Sequence, residues 1–293
     1  MKEKIRDYRM DNIKAMLIIL VVTGHLLELF LKSGNVKTVY KIIYSFHMPL
    51  FIFISGYFAR FNLKKIISGI VIPYLVFQTI YIVYVNYVLN VTKSVKFTYV
   101  QPYWLMWYMM AMIVWSLSLP IISLGGRKIH IAILLLSQLA AVAVGYVGEI
   151  GMKYTLSRVI VYFPFFIMGH YFSGFMKNEE KKSELKEFYH KYKTPITMLT
   201  AVAFGLAVGM ICAYTKKVSY VWLYECAPYT VSHEPPLVRI AHSIVALICI
   251  IYFYLLIPNI KFNFLSGLGA KTRGVYLFHG FIILALKDYA GLI

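Results

Sequence analysis

The chain has 293 residues, of which 60% are hydrophobic and 14% charged, with 30 Lys and Arg against 12 Asp and Glu and a formal net charge of +18. A soluble globular domain carries about a quarter charged residues, so this balance excludes an ordinary water-soluble fold. In a membrane protein a basic excess gathers in cytoplasmic loops and reports orientation, so no nucleic-acid partner is expected.

Apolar runs near the ~20 residues that cross a bilayer as a helix recur along the chain, whereas barrel strands would be ~10 residues of alternating pattern. The expected fold is all-α: a polytopic helical membrane bundle of about nine to ten transmembrane helices, one domain over residues 1–293. Nine spans are predicted, at 11–31, 42–59, 66–90, 103–123, 129–148, 158–176, 194–214, 238–258 and 273–292.

The first run, "RMDNIKAMLIILVVTGHLLELF", is too long for a signal peptide and has no small-residue cleavage site, so it is expected to persist as the first helix. It nevertheless carries Asp11, Lys14, His25 and Glu28. A charge at the bilayer centre costs about 2.5 to 3.5 kcal/mol, so these groups must face the bundle interior or a wet cavity. At ~100° per residue, Lys14 and His25 differ by only ~20° in direction and lie ~16 Å apart along the axis. Asp11 and Glu28 extend the same face by three positions at either end, where side chains can meet. The column predicts one hydrated channel, with an ion-paired base at the inner end and an imidazole beside a carboxylate at the outer end.

The second run contains "YSFHMPLFIFISGYF", which places His47 about one turn into the membrane, near the depth of His25. Two imidazoles at one depth, one of them oriented by Glu28, make a general-base site; a lone intramembrane histidine is more often a helix-packing group. Pro73 predicts a kink or oblique path in the third span. "PYWLMWYMMAM" sets aromatics at the outer interface, and "TLSRVIVYFPFFIMGHY" sets Arg158 at the outer start of the sixth span.

The segment 177–193, "KNEEKKSELKEFYHKYK", reads as a solvated connector. "TKKVSYVWLYECAPYTVSHEPPL", 215–237, is long and rich in aromatics and prolines, which suits either a lid or acceptor-binding element or an interfacial aromatic belt. "LGAKTRGVYLFHGF" brings Lys271 and Arg273 to the inner mouth and His279 two turns further in, although snorkelling ordinarily explains end-of-helix cations. Cys212, Cys226 and Cys249 lack CxxC spacing, so neither a disulfide framework nor a metal site is expected. With the N-terminus in the cytoplasm, the inner segments hold about 18 Lys and Arg against about 10 outside, the sign required of that orientation.

The motifs "RMDNIKAMLIILVVTGH", "FHMPLFIFISGYF", "YWLMWYMMAM", "SRVIVYFPFFIMGHY" and "GAKTRGVYLFHGF", in that order, resemble those of the integral-membrane acyltransferase family called acyltransferase type three, especially its fucose 4-O-acetylase-like branch. The resemblance covers essentially the whole chain. It implies a bacterial cell-membrane enzyme that moves an acyl group, usually acetyl from acetyl-CoA drawn from the cytoplasm, onto a hydroxyl of a sugar or surface glycan, with no tightly bound cofactor. By the same resemblance His25 matches the family's essential histidine and Lys14 its paired basic residue, while Arg158, Tyr276 and His279 match further motif positions. Two departures are visible. "ARFNLKK" stands where many members have an Arg-x-x-Arg pair, which bears on Arg60 and Lys64. Members commonly have ten helices, so the expectation here is an absent last helix or a shortened sequence.

Residues and resemblance converge on one expected mechanism. Lys14, Lys271 and Arg273 receive the CoA phosphates, His25 takes the acceptor's proton, Glu28 or Asp11 orients the imidazole, and His47 or Arg158 stabilises the oxyanion. Fucose-like sugars, other polysaccharide residues and wall glycans remain open as acceptors, as does the oligomeric state. The rival readings are a secondary transporter using the same intramembrane His and acidic residues, for which paired broken helices in two similar halves are not found, and a non-catalytic scaffold.

Overall fold

Among the described residues thirteen α-helices and no strand make up the computed structural model, which describes residues 7–89, 91, 94–150, 155–215, 221–233 and 235–292. Residues 1–6 of the basic N-terminal segment and 216–220 and 234 of the aromatic outer loop lie outside the described residues. The end of the bundle at which the first helix begins is called inner below.

Helix α1, Tyr8–Leu27, starts where the Asp7 side chain accepts the Arg9 backbone N–H, one of the donors a helix start leaves unpaired. It ends in a 3-10 turn, Glu28–Phe30, which carries Glu28 one turn above His25. Helix α2, Gly34–Phe58, begins eight residues before the predicted span, because hydropathy marks the apolar stretch and not the polar turns that precede it. Helix α3, Leu63–Ile66, is capped by the Asn62 side chain and runs through a π turn, Ile67–Val71, into α4, Ile72–Tyr87. The π turn sits immediately before Pro73, whose missing N–H cannot close an ordinary helical bond; the predicted irregularity is thus a wider turn.

A 3-10 turn, Trp104–Met106, leads into α5, Trp107–Ile122; α6, Arg127–Ala143, and α7, Leu156–Lys177, follow. Then come α8, Glu179–Lys191, and α9, Lys193–Thr215. The short α10, Tyr229–Ser232, precedes α11, Pro236–Leu256, α12, Asn263–Ala270, and α13, Thr272–Tyr289.

Among the described residues, eight helical segments are long and apolar enough to cross a membrane. The ninth predicted span is α13, a helix of 18 residues that carries Arg273, Lys287 and Asp288 and buries Tyr276, Leu277, His279 and Gly280 inside the bundle. The protein is therefore a polytopic helical membrane protein. Exposed Leu135, Leu136 and Leu139 on α6 and Met198, Leu199, Val202 and Leu206 on α9 form apolar outer surface suited to lipid.

Close backbone approach fixes the helices that frame the site. A Cβ on Gly56 would lie 2.0 Å from the Phe166 carbonyl oxygen, and one on Gly169 would lie 1.9 Å from that of Phe53. Only glycine lets α2 and α7 touch in this way, the small-residue packing that substitutes for a hydrophobic drive within lipid. Gly269 of α12 approaches the Asp11 carbonyl of α1 as closely, at 1.8 Å for a Cβ. Asn12 completes that joint by donating to the Ile260 carbonyl (2.9 Å) and accepting from Ser266 Oγ (2.8 Å). The inner end of α1, with Lys14, is thereby held in one position.

Candidate active site

Two chambers are stacked along α1. The inner one, about 620 Å³, is lined by Lys14, Arg60, Lys65 and Arg273 together with Ser55, Phe58, Tyr108 and Tyr276. Lys14 Nζ lies 2.8 Å from Asp11 Oδ1 and 5.0 Å from the centroid of the Phe58 ring. The Arg60 guanidinium donates to Ser173 Oγ at 2.7 Å. Four cations around one opening at the inner end form an anion receptor. Lys271, expected there, is exposed beside Thr272 and is not part of the wall, because it ends α12 and turns outward where α13 begins.

The outer chamber is smaller, about 250 Å³, and is lined by His25, Glu28, Tyr44, His47, Trp104, Trp107, Arg158, Tyr162 and Tyr224. His25 Nδ1 lies 3.0 Å from Glu28 Oε1. The Tyr44 hydroxyl donates to the same oxygen at 2.9 Å, and Lys287 Nζ is bonded to Glu28 Oε2. Gly24 makes this possible: a Cβ there would meet the Tyr44 ring at 2.9 Å. With its Nδ1–H directed to a carboxylate, the His25 imidazole keeps Nε2 as the acceptor atom.

Aromatic and basic groups enclose that ring. The Trp104 indole is edge-on to it at 4.8 Å between centroids, and Lys287 Nζ lies 4.9 Å from the Trp104 centroid. Trp104 holds a left-handed backbone, φ 40, which costs a non-glycine residue on the order of 1 kcal/mol and persists only where surrounding contacts enforce it. The His279 ring is 5.5 Å from that of His25; its Nδ1 faces the Val275 carbonyl at 2.9 Å, and its buried Nε2 has no hydrogen-bond partner among the described residues. His47 is fully buried, with Nδ1 at 2.7 Å from the Ile43 carbonyl. That bond turns the opposite side of its ring toward the chamber.

The predicted single channel is a pair of chambers separated by a septum. Tyr276 donates to the Leu105 backbone carbonyl, and its ring packs on Tyr108 at 5.4 Å; Tyr108 meets Phe51 at 5.5 Å and shares a hydrogen bond of 2.6 Å with Ser55. Phe51, Tyr108 and Tyr276 face the inner chamber, while Met48, Leu105 and Trp107, on the same turns, face the outer one. Hydrocarbon and ring faces close the column between Lys14 and His25, because these positions on α2, α5 and α13 converge there.

The loop before α11 covers the outer chamber. Leu223 and Tyr224 stand in its wall, and the Tyr40 hydroxyl donates to that of Tyr224 at 2.7 Å. Arg158 Nε donates to the Tyr224 carbonyl at 2.8 Å, its guanidinium lying 5.1 Å from the Trp107 ring centroid. The next residue, Glu225, is 1% exposed, has φ 53, and pairs with Arg239 Nε at 3.0 Å and His242 Nδ1 at 2.9 Å. His242 Nε2 in turn reaches the Ser45 carbonyl at 2.7 Å. That carbonyl lacks its usual helical donor because the residue four positions on is Pro49. A proline in α2 thus leaves a carbonyl for His242 of α11, and in the described part of the loop Leu223 and Glu225 to Ala227 are buried.

Of the residues singled out in the sequence, His25, Glu28, His47 and Arg158 share the outer chamber, and His279 stands beside the His25 ring. Lys14, Arg273 and Tyr276 share the inner one. Asp11 is bound to Lys14 and lies ~21 Å along the helix axis from His25, so of the two carboxylates only Glu28 reaches the imidazole. The sequence reading missed Lys287, Tyr44, Trp104 and the Glu225 cluster. Lys287 ends an apolar run, where snorkelling ordinarily explains a lysine; its signal was its place fourteen residues, about four turns, beyond Arg273 on the same run. Among the described residues no group of three His, Cys, Asp or Glu is placed to hold a metal ion.

A family model described as an acyltransferase domain matches residues 7–293. The nodulation protein NolL of Sinorhizobium fredii is 50% identical over 58 residues, 18% of this chain and 16% of that protein. NolL of Mesorhizobium japonicum is 46% identical over 56 residues, 18% of this chain and 15% of that protein. The chain thus matches about one sixth of the length of these curated relatives. No solved structure matches it.

Proposed function

Because the chain belongs to the type 3 integral-membrane acyltransferase family and is a membrane transferase, we propose that it is an O-acyltransferase, moving an acyl group, acetyl foremost, from acyl-CoA to a hydroxyl of a sugar or cell-surface glycan. The proposal places it in the bacterial cell membrane with α1 starting in the cytoplasm. The observation that carries it is the pairing of His25 with Glu28 at 3.0 Å inside a small outer chamber, directly above a larger chamber ringed by cations.

In this reading the phosphates of CoA sit among Lys14, Arg60, Lys65 and Arg273, where charge-assisted bonds suit them. For the thioester arm to reach the outer chamber the Tyr276–Leu105 contact opens, and the arm then presents its carbonyl carbon beside His25. A sugar hydroxyl enters the outer chamber and gives its proton to His25 Nε2 as its oxygen attacks that carbon. Glu28 fixes the imidazole and balances its charge while it is protonated, as the carboxylate of a triad does. The Arg158 guanidinium donates to the tetrahedral oxyanion, and His279 Nε2 accepts a bond from a second hydroxyl of the sugar; His47, whose Nδ1–H is given to the Ile43 carbonyl, offers only the lone pair of Nε2 and does not serve the oxyanion role expected of it. The C–S bond then breaks, the thiolate recovers the proton from His25, and ester and free CoA thiol leave.

The experiment is thiol release from acetyl-CoA by the purified, reconstituted protein, with and without a glycan acceptor, followed by mass spectrometry of the acceptor. Acceptor-dependent thiol release with one added acetyl per thiol supports the proposal; an unmodified acceptor across a panel of surface glycans with no thiol released overturns it.

A further inference from the structure

Away from both chambers, a groove of about 590 Å³ lies between α7 and α11, with Phe53 of α2 in its floor and α8 across its inner end. From mid-bundle inward its walls are apolar, running from Met168, Phe172 and Leu247 to Tyr254 and Leu255. At the inner end stand three cations, Arg9, Lys182 and Lys186, and among the described residues none lining the groove is acidic. Lys182 is shared with exposed Glu179 at 3.0 Å, and the Asp7 side chain accepts the backbone N–H of Arg9.

Arg9 is the informative group. Its guanidinium lies 4.8 Å from the Tyr254 ring centroid, and its Nε is buried with no hydrogen-bond partner among the described residues. A buried donor left unpaired costs about 1 to 3 kcal/mol, so the site favours an acceptor bearing oxygen and negative charge. An apolar groove open to the bilayer would admit any lipid chain; the cationic end is what selects. Helix α8 belongs to the segment whose composition suggested a solvated connector, yet it turns Leu185, Phe188 and Tyr189 into the groove while Lys182 and Lys186 stay at its mouth. That is the pattern of an interfacial amphipathic helix.

The geometry points to a binding site for an anionic phospholipid, with one acyl chain along Phe172, Leu247 and Ile251 and the phosphate at Arg9 and Lys186. Basic pockets between transmembrane helices at the membrane surface hold such headgroups, and the planar guanidinium fork matches phosphate oxygens. The site is independent of the transfer chemistry, since none of its residues lines either chamber.

The test is native mass spectrometry of the delipidated, detergent-purified full chain titrated with phosphatidylglycerol or phosphatidylcholine of identical acyl chains. Each basic group near a lipid surface is worth about 1 kcal/mol, or about fivefold, so the two committed cations predict a preference for phosphatidylglycerol of about 25-fold. The Arg9→Gln/Lys186→Gln variant is expected to bind both lipids equally. Leu247→Trp, which keeps both cations but fills the groove, is expected to lose phosphatidylglycerol as well, and excess inorganic phosphate is expected to leave the bound lipid in place. Equal binding of the two lipids by the unaltered protein, a preference that survives in the double variant, undiminished binding by Leu247→Trp, or displacement by phosphate would each overturn the assignment.

Discussion

Glu28 Oε1 lies 3.0 Å from His25 Nδ1, and the other oxygen of that carboxylate is bonded to Lys287, the last basic residue of α13. The first and last long helices therefore meet at a single carboxylate. One side of that contact orients an imidazole, and the other neutralises the charge that orients it.

Glu28→Gln tests the first side. An amide can present an N–H to His25 Nδ1 and so favour the tautomer that puts the proton on Nε2, the atom needed as acceptor. The expected outcome is a fall in kcat of about 100-fold with little change in the KM for acetyl-CoA, the scale on which a general base contributes. The measurement is steady-state thiol release with both substrates varied.

Lys287→Met tests the second side. It leaves Glu28 Oε2 without its cation inside a protein wall, where an unpaired charge is costly. Transfer is expected to fall by about tenfold, the effect of losing ~1.4 kcal/mol of transition-state stabilisation, with substantial recovery in Lys287→Arg. A purely structural lysine would instead lower the yield of folded protein without a change in kcat per folded molecule.

Tyr276→Phe addresses the septum. The change removes the hydrogen bond to the Leu105 carbonyl while keeping the ring against Tyr108. Looser closure between the chambers is expected to raise acetyl-CoA hydrolysis in the absence of any acceptor, read as thiol release without ester.

Glu225→Gln addresses the loop over the outer chamber. Neutralising this carboxylate leaves Arg239, 6% exposed, and His242, 4% exposed, without their common partner. Removing one member of a buried ionic cluster typically costs about 3 to 5 kcal/mol, so a clear drop in the thermal midpoint in detergent is expected. Because the neighbouring Tyr224 carbonyl holds Arg158, the KM for the acceptor is expected to rise more than that for acetyl-CoA.

Much of this was legible in the chain itself. Apolar run lengths gave the bundle, and the eleven-residue spacing of Lys14 and His25 on an apolar helix gave the column, because helical geometry leaves few other arrangements for charges that must avoid lipid. Contacts between distant helices were not legible. Nothing local in Lys287 distinguishes a lysine that reaches Glu28 from one that reaches the headgroups, and nothing in Glu225 announces that it pairs with two residues of α11. The septum eluded the sequence for the same reason: the resemblance marked Tyr276 as a motif position, but nothing local brings it to Tyr108 and Phe51, which lie on two other helices. The role of Pro49 shows a middle case, in which the freed Ser45 carbonyl is foreseeable and its partner, His242, is not.

The central claim is that His25 accepts the proton of the acceptor hydroxyl. The most direct measurement compares His25→Ala with the unaltered protein at matched folding, verified by monodispersity and thermal midpoint, for acceptor-dependent release of CoA thiol and formation of the acyl ester. Loss of both in the variant, with the inner chamber still binding acetyl-CoA, is the predicted result. Ester formation at the unaltered rate in a folded His25→Ala protein would contradict it.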